Sequence, residues 1–154
     1  MNHCKLGDDL GLIIGEAISE SMYLKEISVR HNDFHDQTAQ AFADSLKEPG
    51  CKIEKITMSN NLINDSGGEL MAESLRTNRT LSKLDLSWNN MCNSSGKEFS
   101  EALKDNFVIK ELKIDNNTIA LSVVDHIQGL VMRNLLYKQQ LEVEQLTFER
   151  QKHL

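Results

Sequence analysis

The sequence predicts an α/β solenoid made of repeated strand–helix units. Three observations carry that prediction. An apolar pattern recurs at a near-constant step along most of the chain. The segments between its copies align in columns of helical spacing. The totals are those of a folded chain: 154 residues, 40% hydrophobic and 26% charged, enough for one short array and too rich in apolar side chains to stay disordered.

The strands come first. The pattern apolar-x-x-apolar-x-apolar-x-x-Asn-x-apolar appears as Leu24, Ile27, Val29, Asn32 and Phe34. It returns as Ile53, Ile56, Met58, Asn61 and Ile63, then as Leu81, Leu84, Leu86, Asn89 and Met91, and again as Ile109, Leu112, Ile114, Asn117 and Ile119. Successive copies start 29, 28 and 28 residues apart. Apolar residues at two- and three-residue steps make a short strand with one buried face. The asparagine then turns the chain. Its amide donates and accepts, so stacked asparagines can satisfy backbone groups that the turn leaves unpaired. Four copies in register mark a repeat protein, in which neighbours cover each other's apolar faces.

The second half of each unit must return as a helix. Counting back from the strand starts places Ile18, Leu46, Leu75 and Leu103 in one inward column, and Ile14, Phe42, Met71 and Phe99 in another four residues earlier. An i, i+4 apolar pair is one helix face. Ala17, Ser45, Ser74 and Ala102 lie between them and predict close helix approach. Gly68 and Gly96 fall near helix starts, where tight entry excludes a side chain. Pro49, the only proline, falls in a helix-to-strand loop. Glu16, Asp44, Glu73 and Glu101 form an outer acidic column, with Lys47, Arg76 and Lys104 three residues after the last three. These read as i, i+3 pairs on a solvated face, worth roughly 0.2–0.5 kcal/mol each.

The stretch from Asn61 to Asn89, NLINDSGGELMAESLRTNRTLSKLDLSWN, resembles the ribonuclease-inhibitor class of leucine-rich repeats. That class is shared by ribonuclease inhibitor, NOD-like receptor sensor arms, tropomodulin-type actin caps, the GTPase-activating protein for Ran and several ciliary proteins. The resemblance runs over residues 4–131. It implies a right-handed leucine-rich repeat solenoid, a short horseshoe with parallel strands on the concave face and helices on the convex face. It also implies ligands held on the concave face or at its rim. On that frame the concave positions are Glu26, Ser28 and Arg30; Lys55, Thr57 and Ser59; Lys83, Asp85 and Ser87; and Glu111, Lys113 and Asp115. Extending the register upstream puts Cys4 in the turn column with Asn32, Asn61, Asn89 and Asn117, and the class alternates Asn and Cys there.

Trp88, the only tryptophan, shares a column with His31, Asn60 and Asn116, one residue before the turn asparagine. Its polar company predicts an indole exposed at the rim. Two readings stay open: an interface hot spot, or a ring lying along the rim over its own repeat.

The two ends differ. The chain begins inside a repeat, since Met1, Asn2 and His3 fill only the end of a strand. An uncapped repeat end exposes its apolar face, so upstream repeats or self-association are expected there. Downstream, Ile127 and Val131 keep the inward columns. A further strand needs apolar residues near Tyr137, Gln140 and Glu142 and finds only the tyrosine. The expected division is an array over 1–136 and a C-terminal helical tail over 137–154. Leu141, Val143, Leu146 and Phe148 stripe that tail loosely, which suits either a frayed end or a helix that docks on a partner.

Net charge is −6, from 17 basic and 23 acidic residues, which excludes a general nucleic-acid or anionic-membrane binder. No apolar run approaches the roughly 20 residues of a membrane span. The odd set Cys4, Cys51 and Cys92 reads as free thiols in a reducing compartment. With no leader pattern, a cytoplasmic protein is expected, with cytoskeletal or ciliary association open. Cys51 and Cys92 are expected to pack as small thiols near loop ends. His3, His31, His35 and Cys4 sit close in register but lack the paired spacing of a zinc site, so no metal and no cofactor are expected. No phosphate loop, nucleophile elbow or HExxH is present. The reading is a non-catalytic scaffold for protein partners. The alternatives are an enzyme regulator (an inhibitor, or a GTPase activator with Arg30 as its candidate arginine) and a structural part of a cytoskeletal or ciliary assembly.

Overall fold

The computed structural model describes residues 6–152; the Cys4 and His3 expectations lie outside them. Strand and helix alternate: α1 Gly7–Glu20, β1 Glu26–Ser28, α2 Asp36–Lys47, β2 Lys55–Thr57, α3 Asp65–Ser74, β3 Lys83–Asp85, α4 Asn93–Asp105, β4 Glu111–Lys113 and α5 Leu121–Lys152. The strands form one parallel sheet in chain order. Glu26 faces Lys55, Lys55 faces Lys83, and Lys83 faces Glu111. Equivalent positions of successive repeats therefore lie side by side.

The apolar columns stack as their period demands. Ile56, Leu84 and Leu112 on the strands are buried, as are Ile14, Phe42, Met71 and Phe99 and their partners Ile18, Leu46, Leu75 and Leu103 on the helices. Ile127 and Val131 carry both columns into α5. Each such side chain contributes about 1.5–3 kcal/mol of burial. The glycines at helix starts are steric necessities. A Cβ added at Gly68 would stand 2.6 Å from Met91 Sδ, and one at Gly96 2.8 Å from Val123 Cγ1.

Three ladders of polar side chains run along the stack. In the turn column, Asn61 Nδ2 donates to the carbonyls of Val29 (3.1 Å) and Met58 (2.8 Å), while its Oδ1 accepts from the amides of Asn32 and Phe34. Asn89 and Asn117 repeat the arrangement. A second asparagine ladder, which the sequence reading missed, lies at the other end of the helices. Asn78, Asn106 and Asn134 are buried. Asn78 Nδ2 donates to Leu46 O, Asn106 Nδ2 to Leu75 O, and Asn134 Nδ2 to Asn106 O and Ile109 O. The third ladder joins helix starts. Asp8 Oδ1 accepts from the backbone amides of His35 and Thr38 and the Thr38 hydroxyl. Asp65 Oδ1 does the same for Cys92 and Ser95. Asp36 caps Asn64, and Asn93 caps Ala120. Each repeat thus supplies the N-terminal cap of the next, in place of a cap from the helix's own first residue.

Several expectations change. Ala17 is exposed, whereas Ser45, Ser74 and Ala102 are buried. That column faces the preceding helix, as Ser45 Oγ shows by donating to Gly15 O at 2.6 Å, and among the described residues no helix precedes α1. Of the outer-face pairs, only Lys104–Glu101 closes at i, i+3. Lys47 instead reaches Glu73, and Arg76 reaches Glu98, because the next helix brings a carboxylate as near as the same helix does. Cys51 is buried, but Cys92 is exposed; it occupies the residue before α4, where its amide donates to Asp65 and its thiol to Asn90 O. Helix α5 runs unbroken past residue 136, and among the described side chains its last partly buried one is Leu135. Where a further strand is lacking, Gln128 Nε2 donates to Leu112 O at 2.9 Å, so the helix satisfies part of the edge of β4.

Candidate functional site

The strand residues that do not enter the core project from the opposite face of the sheet. They meet in a groove of about 260 Å³ that includes Arg30, Lys55, Thr57, Lys83, Asp85, Glu111 and Lys113 in its lining. Ile56 and Leu84, whose side chains enter the core, also border it. Seven of the concave-face residues expected from the sequence therefore converge. Five further concave and rim residues stand beside the groove. Glu26 joins it through an ion pair with Lys55 at 3.1 Å. Ser28, half-buried, lies next to Thr57 in the ladder. His31, Trp88 and Asp115 belong to the turns that follow the strands.

Charge in the groove is organised by pairs within β4 and across neighbouring strands. Glu111 meets Lys113 at 3.0 Å and Lys83 at 3.5 Å. The hydrogen bond from Lys113, opposed by burial and helped by Lys83, lowers the Glu111 pKa; the same bond raises that of Lys113. Asp85 accepts from the Ser87 hydroxyl at 2.6 Å. Thr57 is only 4% exposed, so its hydroxyl lies at the bottom of the groove, below the longer charged side chains. Such a surface offers ammonium and guanidinium donors around two carboxylate acceptors. It suits the polar side chains of a folded partner better than a single-sign polyanion.

The rim has a feature that the sequence signalled but the reading did not use. His31, Asn60, Trp88 and Asn116 all have positive φ, between 55° and 58°. The turn demands a left-handed residue immediately before each ladder asparagine. Asn accepts this conformation readily, and a bulky side chain does not. Trp88 nevertheless holds it, with its amide donating to Asp115 O at 2.9 Å. The residue is 57% exposed, as its polar column predicted. His35, weighed as a metal ligand, has its Nδ1 3.1 Å from Asp8 Oδ2.

No helix among the described residues is long and apolar enough to cross a membrane. A family model described as Leucine Rich repeat matches residues 20–43 and 77–100. The chain is 28% identical over 86 residues to NLR family CARD domain-containing protein 3 of Homo sapiens, covering 53% of this chain and 8% of that protein. It is 28% identical over 84 residues to the ribonuclease inhibitor of Sus scrofa, covering 54% of this chain and 18% of that protein. The chain therefore spans less than a fifth of either relative. Among solved structures, leiomodin-1 actin-binding site 2 superposes with a TM-score of 0.80 at 22% identity, covering 97% of this chain and 85% of that one. The tropomodulin C-terminal domain of Caenorhabditis elegans gives a TM-score of 0.55 at 13% identity, covering 90% of this chain and 98% of that one. Repeat signature, stacked register and these matches agree: the chain is a leucine-rich repeat solenoid, similar to those of the ribonuclease-inhibitor type.

Proposed function

We propose that the chain is a non-catalytic scaffold that holds a partner protein in the concave groove and against the turn rim beside it. The observation that carries this reading is Trp88. An exposed indole on left-handed backbone costs about 1–2 kcal/mol relative to an unstrained residue, and the asparagines at positions 60 and 116 show the cheaper solution. A strained aromatic next to a polar groove fits an interface anchor. Glu26, Ser28, Arg30, His31, Lys55, Thr57, Lys83, Asp85, Glu111, Lys113 and Asp115 are the proposed contact set around it. The test is affinity capture from cells, identification of the partner, and titration of the purified pair. Alanine at Trp88 should weaken binding by about 2 kcal/mol, roughly thirtyfold. Alanines at Arg30, Lys55 and Asp85 should add to the loss. A partner that binds all these folded variants as tightly as the parent chain would refute the reading.

A second reading, a cytoskeletal component, takes its support from the likeness to the leiomodin-1 actin-binding site over 97% of this chain. Co-sedimentation with actin filaments decides it: enrichment of the chain in the pellet supports the reading, and recovery in the supernatant at all actin concentrations sinks it.

A further inference from the structure

The end of the sheet where the chain enters the strands, opposite the Trp88 rim, carries its own groove. It has a volume of about 350 Å³ and is lined by Lys25, Lys52, Glu54, Arg79, Val108 and Lys110, together with the hydroxyl residues Thr80 and Ser82. The four cations come from four consecutive repeats, one before each strand. Strands lie about 4.8 Å apart, so the row spans roughly 14 Å, the length of about four extended residues. Lys25 pairs with Glu54 at 2.6 Å. Lys52 and Lys110 have no ion pair among the described residues. Arg79 spends Nη1 on the carbonyls of Leu75 and Asn78. That fixes the guanidinium at the groove while its other donors meet nothing among the described residues. Four cations thus share one carboxylate.

The backbone of this edge is already satisfied. Glu54 N donates to Lys25 O, Ser82 N to Glu54 O, and Lys110 N to Ser82 O. An incoming strand would find these amides occupied, so recognition falls to side chains. Exposed aromatic residues adjoin the lining in sequence, Tyr23 two residues before Lys25 and Phe107 next to Val108. Tyr23 is 90% exposed and Phe107 43%. Phe107 is held in place by the Arg133 guanidinium 4.1 Å from its ring centroid and by Tyr137 at 5.4 Å.

We propose that this groove docks an acidic segment of a partner protein in which carboxylates are interspersed with apolar residues. The cations take the carboxylates, and Val108 and Phe107 take the apolar side chains. A nucleic acid fits less well. It would run past a row of this length onto a chain of net charge −6, losing the counterion release that drives such binding. The surface is separate from the concave groove, so this proposal stands or falls independently of the function proposed above.

The experiment is fluorescence anisotropy of the full chain with a fluorescein-labelled peptide of alternating glutamate and leucine. The same peptide with glutamine for glutamate, and an oligothymidylate of equal charge, serve as controls. The acidic peptide should bind, and binding should weaken with salt. Lys52→Glu together with Lys110→Glu should reduce affinity roughly tenfold or more. Glu54→Gln removes the competing carboxylate and should tighten binding by roughly two- to fivefold. Circular dichroism confirms that the variants fold, and because Glu54→Gln is a gain it cannot arise from unfolding. The proposal is overturned if the acidic peptide fails to bind at millimolar concentration or if the glutamine peptide binds equally. It is also overturned if the oligothymidylate binds more tightly, or if either variant leaves affinity unchanged.

Discussion

At the scale of single residues, two positions show how strictly the turn specifies its side chains. Asn61 is buried with both amide atoms engaged across two repeats. Asn61→Ala would orphan the amides of Asn32 and Phe34 and take a donor from the carbonyls of Val29 and Met58, the latter keeping only Asn89, at about 1–3 kcal/mol for each group left dry. A loss of at least about 3 kcal/mol in urea unfolding is expected. Asn61→Asp should be as damaging despite its shape, since a carboxylate has no proton to give those carbonyls. Trp88 runs the other way. Trp88→Asn places the residue used at positions 60 and 116 on the same left-handed backbone. It should raise unfolding free energy by about 1 kcal/mol while weakening the partner complex. A residue that lowers stability where a better one is at hand is the signature expected of a binding anchor. If Trp88→Asn destabilises the chain instead, the indole packs usefully on its own repeat, and the anchor reading loses its support.

At the scale of elements, the unit is the joint between one helix start and the next. Burial raises the pKa of Asp8 and of Asp65. The hydroxyl and amide donors of the following repeat, with His35 also acting on Asp8, outweigh that, so both pKa values are lowered. A carboxylate whose folded pKa lies below its unfolded value contributes stability that is fully present above the unfolded pKa. That contribution is lost as pH falls through the folded value. With unfolded Asp near about 3.9, the urea midpoint should hold level from neutral pH to about pH 5 and drop below about pH 4. The Asp8→Asn, Asp65→Asn double variant should flatten that acid limb, because asparagine caps without charge, as Asn93 already does for Ala120. An unchanged limb would place the acid sensitivity elsewhere. This column was readable: Asp8, Asp36, Asp65 and Asn93 recur at the strand period. It was passed over because a carboxylate near a helix start is ordinarily credited to its own helix. Asn78, Asn106 and Asn134 were missed for a similar reason. Asn78 and Asn106 lie in loops and Asn134 within α5; as polar residues they add nothing to a hydrophobic period, and only their burial reveals that their amides hold neighbouring repeats together.

At the scale of the whole molecule, stability is a chain of nearest-neighbour terms. Leu84 lies mid-stack and is 1% exposed, and Leu141 lies on the extension of α5 and is 47% exposed. Leu84→Ala should cost about 2–5 kcal/mol, and Leu141→Ala should stay within about 0.5 kcal/mol; guanidinium melts of the two variants measure the contrast. Comparable losses would mean that the far end of α5 packs against the array. The sequence alone determined the solenoid, its strand register, its inward columns and the asparagine turn, because a side chain facing the core must repeat whenever the backbone repeats. It also determined which residues could line the concave face. Tertiary structure decided the rest: which carboxylate each outer cation pairs with, which repeat caps which helix, that Thr57 lies at the groove's base while Trp88 stands exposed on left-handed backbone, and that the opposite edge gathers four cations around Glu54. Those outcomes depend on distances between repeats, which a one-dimensional period does not contain.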